Sequence, residues 1–129
     1  MGKTGLQRVL WVVSAFVVLT GLLDVFAGVD GLRTIDRFLP APYRTIDTQM
    51  RFLGAIWLGF GVTLAWIIPN IEQQTMLFRL MMGAIFLGGL SRILSWMTLG
   101  EPPPFFIGLM VVEIVGAPLL VFWQSRVSR

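Results

Sequence analysis

Gly88-Gly89-Leu90-Ser91-Arg92-Ile93-Leu94-Ser95-Trp96 places an arginine inside an apolar stretch long enough to cross a bilayer. An ionisable side chain at that depth costs about 2.5–3.5 kcal/mol on the insertion scale, so it faces a bundle interior and meets an opposite charge or a watered cavity. Glu113, in the middle of the next apolar stretch, is the obvious candidate for that partner. The chain therefore reads as a small multi-span membrane protein with a polar spot inside it.

Composition agrees. Of 129 residues 56% are hydrophobic and 13% charged, with a mean hydropathy of +0.80, whereas a soluble domain carries about 25% charged residues. A chain of this size is one membrane domain, 1–129. The net charge of +3 comes from arginines at segment ends, with no lysine-rich run of the kind that grips nucleic acid, so no nucleic-acid partner is expected. There is no cysteine and no histidine. Disulfides, thiolate ligands, the commonest metal ligand and the usual general base are thereby removed, and neither metal, cofactor nor catalysis is expected.

Working outward from that stretch, four apolar segments emerge: about 6–27, 50–68, 77–99 and 105–123. The first begins behind Lys3 and Arg8, like a signal peptide, but its apolar character continues past Asp24 through Val25-Phe26-Ala27 to a spanning length. Gly2-Lys3-Thr4 lacks the glycine-rich loop of a phosphate site, and Leu6 stands where a myristoylation signal wants Ser or Thr. Between the first two spans, residues 28–49 form a polar loop of balanced charge that Pro40 and Pro42 keep from being one helix. Arg-Thr-Ile-Asp occurs there at 33–36 and again at 44–47, either as two short interfacial helices anchored by Ile35, Phe38, Leu39 or Tyr43, or by chance.

The second span carries Gly54, Ala55, Leu58, Gly59, Val62 and Ala65 near one another on a helical wheel, the small-residue face by which membrane helices approach closely. Only Glu72-Gln73-Gln74-Thr75 links it to the third span, so the two are antiparallel neighbours. The third span has Gly83, Ala84, Gly88 and Gly89 along a packing face. Its hexapeptide at 83–88 echoes the one at 54–59, through an internal repeat or through convergence on small faces. Gly100-Glu101-Pro102-Pro103-Pro104 is a rigid break, and Gly116-Ala117-Pro118 predicts a kink in the fourth span.

The stretch Arg51-Phe52-Leu53-Gly54-Ala55-Ile56-Trp57-Leu58-Gly59, then Arg92-Ile93-Leu94-Ser95 followed by Gly100-Glu101-Pro102, and Glu113 ahead of Pro118 resemble a family of small four-span bacterial membrane proteins described as a domain of unknown function. That family is loosely akin to the DoxX-like group. The resemblance covers nearly the whole chain and implies a four-helix inner-membrane bundle; it brings no activity or ligand with it.

The fold class is therefore an all-α antiparallel bundle of four transmembrane helices with an amphipathic loop between spans one and two. In that topology Asp24, Arg51, Arg92 and Glu113 fall in one membrane half, at roughly 5, 2, 10 and 12 Å from their span ends at 1.5 Å per residue. They are either a structural clamp or a ligand or proton site. As a ligand site, the cluster would hold an anionic lipid or lipid-like molecule, gripped by Arg51 and lined by Phe52, Ser95, Trp96, Phe105 and Phe106. As a clamp, it would belong to an accessory or oligomer-forming subunit that meets a second copy or another membrane protein through its glycine faces. A small proton-coupled transporter using Glu113 is the third reading. Lys3, Arg8, Arg79, Arg126 and Arg129 against Arg33, Arg37, Arg44 and Arg51 place both termini in the cytoplasm, by a margin of one charge.

Overall fold

The structure, a computed structural model, describes residues 2–32 and 44–128. Among these, the secondary structure is helical, with no strand: α1 (Lys3–Ala27), α2 (Val29–Leu32), α3 (Arg44–Ile67), α4 (Thr75–Leu99), α5 (Pro104–Val111) and α6 (Ala117–Val127). A 3-10 turn at Ile68–Asn70 closes α3, and a π-helical turn at Val112–Gly116 joins α5 to α6 without a break. Four helical runs are long and apolar enough to cross a membrane: Lys3–Ala27, Ile46–Asn70, Thr75–Leu99 and Pro104–Val127. The fold class is thus all-α with four spanning helices, and the chain is a multi-pass membrane protein.

The chain divides into two compact units, Arg8–Ile68 and Met1–Gln7 with Pro69–Arg129. In the first, α1 and α3 run antiparallel. Their backbones nearly touch where glycine removes a side chain: a Cβ on Gly21 would lie 2.7 Å from the Leu58 amide nitrogen, and one on Gly54 would lie 2.5 Å from the Asp24 Cβ. Hydrogen bonds bridge the pair along its length, among them those from Ser14 Oγ to the Gly61 carbonyl (2.9 Å) and from Trp57 Nε1 to Thr20 Oγ1 (3.0 Å). The packing stripe of α3 is consequently Gly54, Leu58, Gly61 and Leu64, while Ala55, Gly59 and Val62 face outward. The small-residue face expected from the wheel is correct at Gly54 and Leu58 and rotated beyond them.

The second Arg-Thr-Ile-Asp tetrad is the first turn of α3, continuous with the spanning helix, and not a separate interfacial helix. Nothing between Arg44 and Leu53 interrupts a helix, and Asp47 in the first turn complements the positive helix end. The first tetrad, with Phe38, Leu39, Pro40, Pro42 and Tyr43, lies outside the described residues.

The second unit pairs α4 with the α5–α6 run, again antiparallel. Of the four small residues expected along one α4 face, Gly89 is the one in close packing, since a Cβ there would lie 2.7 Å from Ile114 Cγ1, whereas Gly83 and Gly88 look into open space. The hexapeptide echo therefore puts Gly54 in a helix contact and Gly83 at an open surface. At one end, Gly100 takes φ +98 and its amide bonds the Trp96 carbonyl, which ends α4; Pro104 then opens α5, where its missing N–H costs no hydrogen bond. At the other end Gln124, fully buried, donates to the Ile71 carbonyl (3.2 Å) and Thr75 Oγ1 (2.8 Å), tying α6 to the link before α4. Lys3 closes the same end with an ion pair to Glu72 at 2.7 Å.

Candidate functional site

In the α4–α6 unit the deep charges meet. Arg92 donates from Nε to Glu113 Oε2 (2.8 Å) and from Nη2 to Glu113 Oε1 (3.2 Å), a two-pronged pair with the Phe106 ring 5.6 Å from the guanidinium carbon. Three local features make this possible. Gly89, one turn before Arg92, lets the helices close to where an added Cβ would be 3.1 Å from the Glu113 Cβ. Pro118 has no N–H to offer the Ile114 carbonyl, and the chain absorbs the mismatch in the π-helical turn at 112–116. Glu113 sits in that turn, whose wider winding re-aims its side chain relative to an α-helical register. Its side chain is 13% exposed and that of Arg92 38%.

Arg51 is engaged differently from the donor-rich role expected of it. Its Nε donates to Asp47 Oδ2 (2.8 Å), its Nη1 to the carbonyls of Val25 (2.8 Å) and Phe26 (3.1 Å), and its Nη2 to Asp47 Oδ1 (3.4 Å). Asp47 Oδ1 also accepts from the Val29 amide at 3.0 Å. Two side chains one turn apart on α3 thus satisfy the last carbonyls of α1 and the first amide of α2, which are the groups a helix leaves unpaired at its ends. Gly28 makes the corner between those helices with φ +54, and a Cβ on it would collide with the Asp47 carboxylate. This is a corner brace, and it leaves Arg51 no free fork for a headgroup. Asp24 is half-buried against Gly54 and forms no ion pair among the described residues.

Within its own unit each arginine of the expected cluster has its partner, Glu113 for Arg92 and Asp47 for Arg51, and Asp47 is a residue the sequence reading had left in the loop. Of the five residues expected to line a slot, Phe52 belongs to the α1–α3 unit and is 60% exposed; Ser95, Trp96, Phe105 and Phe106 belong to the other. None of the five lines the apolar groove of the second unit.

That groove lies between α4 and α6, with a volume of about 550 Å³. Arg79, Met82, Gly83 and Phe86 form one wall, and Ala117, Pro118, Val121, Phe122 and Ser125 the other. Each wall is one helix face, at i, i+3, i+4, i+7 spacing. Gly83 supplies the width, because nothing lies within 4 Å of where its Cβ would be. Arg79 and Ser125 stand at the end near the helix termini, about 6 and 3 Å along the axis from Thr75 and Val127; Phe86 and Ala117 lie about 10–12 Å further in. Arg126 stacks on the Phe122 ring, its guanidinium carbon 4.9 Å from the centroid. Among the described residues neither Arg79 nor Arg126 has a carboxylate partner. At the same end, the Lys3 ammonium holds the Glu72 carboxyl below its ordinary range, aided by a backbone hydrogen bond.

The geometry describes an apolar channel open along its side, with an uncompensated guanidinium at its mouth. The sequence reading treated Arg79 only as a topology charge. The signal that would have found the groove is the matched spacing 79–83–86 and 118–122–125, polar at one end and apolar beyond.

No curated protein matches this chain, and no solved structure does. A family model does, over residues 5–124, which takes in nearly all of the four spanning helices and both the Arg51–Asp47 and Arg92–Glu113 pairs. The chain therefore belongs to the family described as Domain of unknown function (DUF4345).

Proposed function

We propose that this multi-pass membrane protein binds an anionic lipid or lipid-like amphiphile without transforming it, and that the α4–α6 groove is the binding site. The observation that carries the reading is the unpaired Arg79 at the mouth of an apolar groove. A guanidinium at headgroup depth offers a planar fork to phosphate or carboxylate oxygens. The walls beyond it suit an acyl chain running about 10 Å towards the bilayer centre, within a half-thickness of about 15 Å. The want of histidine and cysteine supports binding over catalysis. The same proposal places the protein in a bacterial inner membrane with both termini cytoplasmic, and so puts the mouth of the groove in the cytoplasmic leaflet. A loose kinship with the DoxX-like group is part of it and rests on the Arg51–Gly59 and Arg92–Glu113 stretches.

Native mass spectrometry of the purified protein tests the reading by comparing lipids retained by wild type, Arg79→Ala and Arg51→Ala. Anionic lipid enriched on wild type and on Arg51→Ala, and lost from Arg79→Ala, is the expected result. Equal, unselective lipid on wild type and Arg79→Ala refutes it.

One observation favours the accessory or oligomer-forming alternative. Gly59, Gly88 and Gly108 each face open space, as small residues do where another helix is to approach.

A further inference from the structure

The groove mouth carries more positive charge than a single phosphodiester needs. Arg79 lies in the lining, and Arg126 lies one residue past the lining Ser125, its guanidinium held over the ring of the lining Phe122. Ser125 is no competing donor, because its hydroxyl is turned inward to the Phe122 carbonyl at 2.7 Å. The only acidic side chain on the neighbouring link, Glu72, is engaged by Lys3. Two guanidiniums therefore belong to one end of an apolar groove, Arg79 in its lining and Arg126 over the lining Phe122, with no carboxylate partner among the described residues.

We propose that the groove selects a lipid whose head is a terminal phosphomonoester, with Arg79 and Arg126 sharing its oxygens. The inference rests on the amphiphile-binding reading above and narrows it to one headgroup chemistry. A phosphomonoester presents three terminal oxygens and a charge of about −1.5 to −2 at pH 7. Two planar forks make four N–H contacts, which three oxygens accommodate and which match two positive charges to two negative ones. A phosphodiester has two free oxygens and one negative charge; one fork saturates it and leaves the second guanidinium unpaired. Arg126 is placed to serve because a guanidinium resting on an aromatic face keeps its edge N–H groups free for an anion.

The experiment uses the purified full-length protein in neutral detergent, with dioleoyl phosphatidate, dioleoyl phosphatidylglycerol and dioleoyl phosphatidylcholine as probes, read by native mass spectrometry titration. Phosphatidate should bind about tenfold more tightly than phosphatidylglycerol, the effect of one additional charge-assisted hydrogen bond pair. Arg126→Gln should bring that ratio close to one while leaving phosphatidylglycerol ahead of phosphatidylcholine; Arg79→Gln should abolish both preferences. Because the preference depends on the second phosphate ionisation near pH 6, it should shrink as pH is lowered through that value. Gly83→Leu, which adds a good helix former where nothing lies within 4 Å, should fill the groove and remove binding of both anionic lipids with the helical circular dichroism unchanged.

A phosphatidate to phosphatidylglycerol ratio near one on wild type, or a raised ratio that survives Arg126→Gln, overturns the phosphomonoester proposal while leaving the anionic-amphiphile reading intact. Loss of any preference over phosphatidylcholine takes both away.

Discussion

Replacing Arg92 or Glu113 by glutamine tests whether the deep ion pair holds α4 to the α5–α6 run. Each single change strips the counter-charge from a group deep along its helix, about 10 Å from Leu99 for Arg92 and about 14 Å from Pro104 for Glu113. Losing one member of a buried pair costs about 3–5 kcal/mol because the other is left uncompensated. The low end applies here, since the Arg92 side chain is 38% exposed and the second of its two bonds is 3.2 Å long, so we expect about 3 kcal/mol for either single variant. In the double variant two neutral amides face one another across the same gap. It should lie within about 1 kcal/mol of wild type, giving a coupling energy on the order of 5–6 kcal/mol. The measurement is reversible unfolding of the four proteins in mixed micelles, monitored by circular dichroism. If the two single losses add to within about 0.5 kcal/mol in the double variant, the residues do not interact energetically and the reasoning fails.

Three further outcomes follow from other parts of the chain. Gly28→Ala should destabilise the protein by more than about 1 kcal/mol, because φ +54 disfavours a side chain and the Asp47 carboxylate occupies its place; Gly108→Ala, at an open helical position, should not, and denaturant unfolding compares them. Gly21→Val should cost about 1–3 kcal/mol by forcing α1 off the Leu58 backbone, read from the same unfolding curves. The Glu72 carboxyl is held below its ordinary value of 4.5 by Lys3, so this pair contributes stability that is present above the unfolded-state value and lost as pH falls through the folded one. Melting temperatures from pH 7 down to pH 3 should therefore fall more steeply for wild type than for Lys3→Met; parallel curves would show that the pair contributes nothing.

Some of this protein could be read directly from its residues. Twenty-odd apolar residues between charges make a spanning helix in any context, because backbone polar groups in hydrocarbon have to be satisfied within the segment. The stretch from Gly100 to Pro104 separates two helices, a glycine closing one and a proline opening the next, which needs no knowledge of neighbours. The need for a partner at Arg92 likewise follows from its own desolvation cost, and Glu113 offered the matching charge on the next span.

What only the tertiary structure decided depends on how faces are rotated and what is closest. Arg51 and Arg92 are each an arginine of a span, and the sequence put both in one polar cluster. One is consumed by the free carbonyls of α1 and by Asp47, a residue that looked like loop until α3 proved to start at Arg44. The hexapeptides at 54–59 and 83–88 are nearly identical, yet Gly54 is pressed against Asp24 and Gly83 opens a groove, because a helix buries whichever face its neighbour meets and small residues permit contact without requiring it. Arg79 became a candidate binding residue only when the walls of α4 and α6 were seen to line up with no carboxylate between them. Periodicity shows that a face exists; the register between two helices, set by side chains far apart in sequence, determines which faces meet.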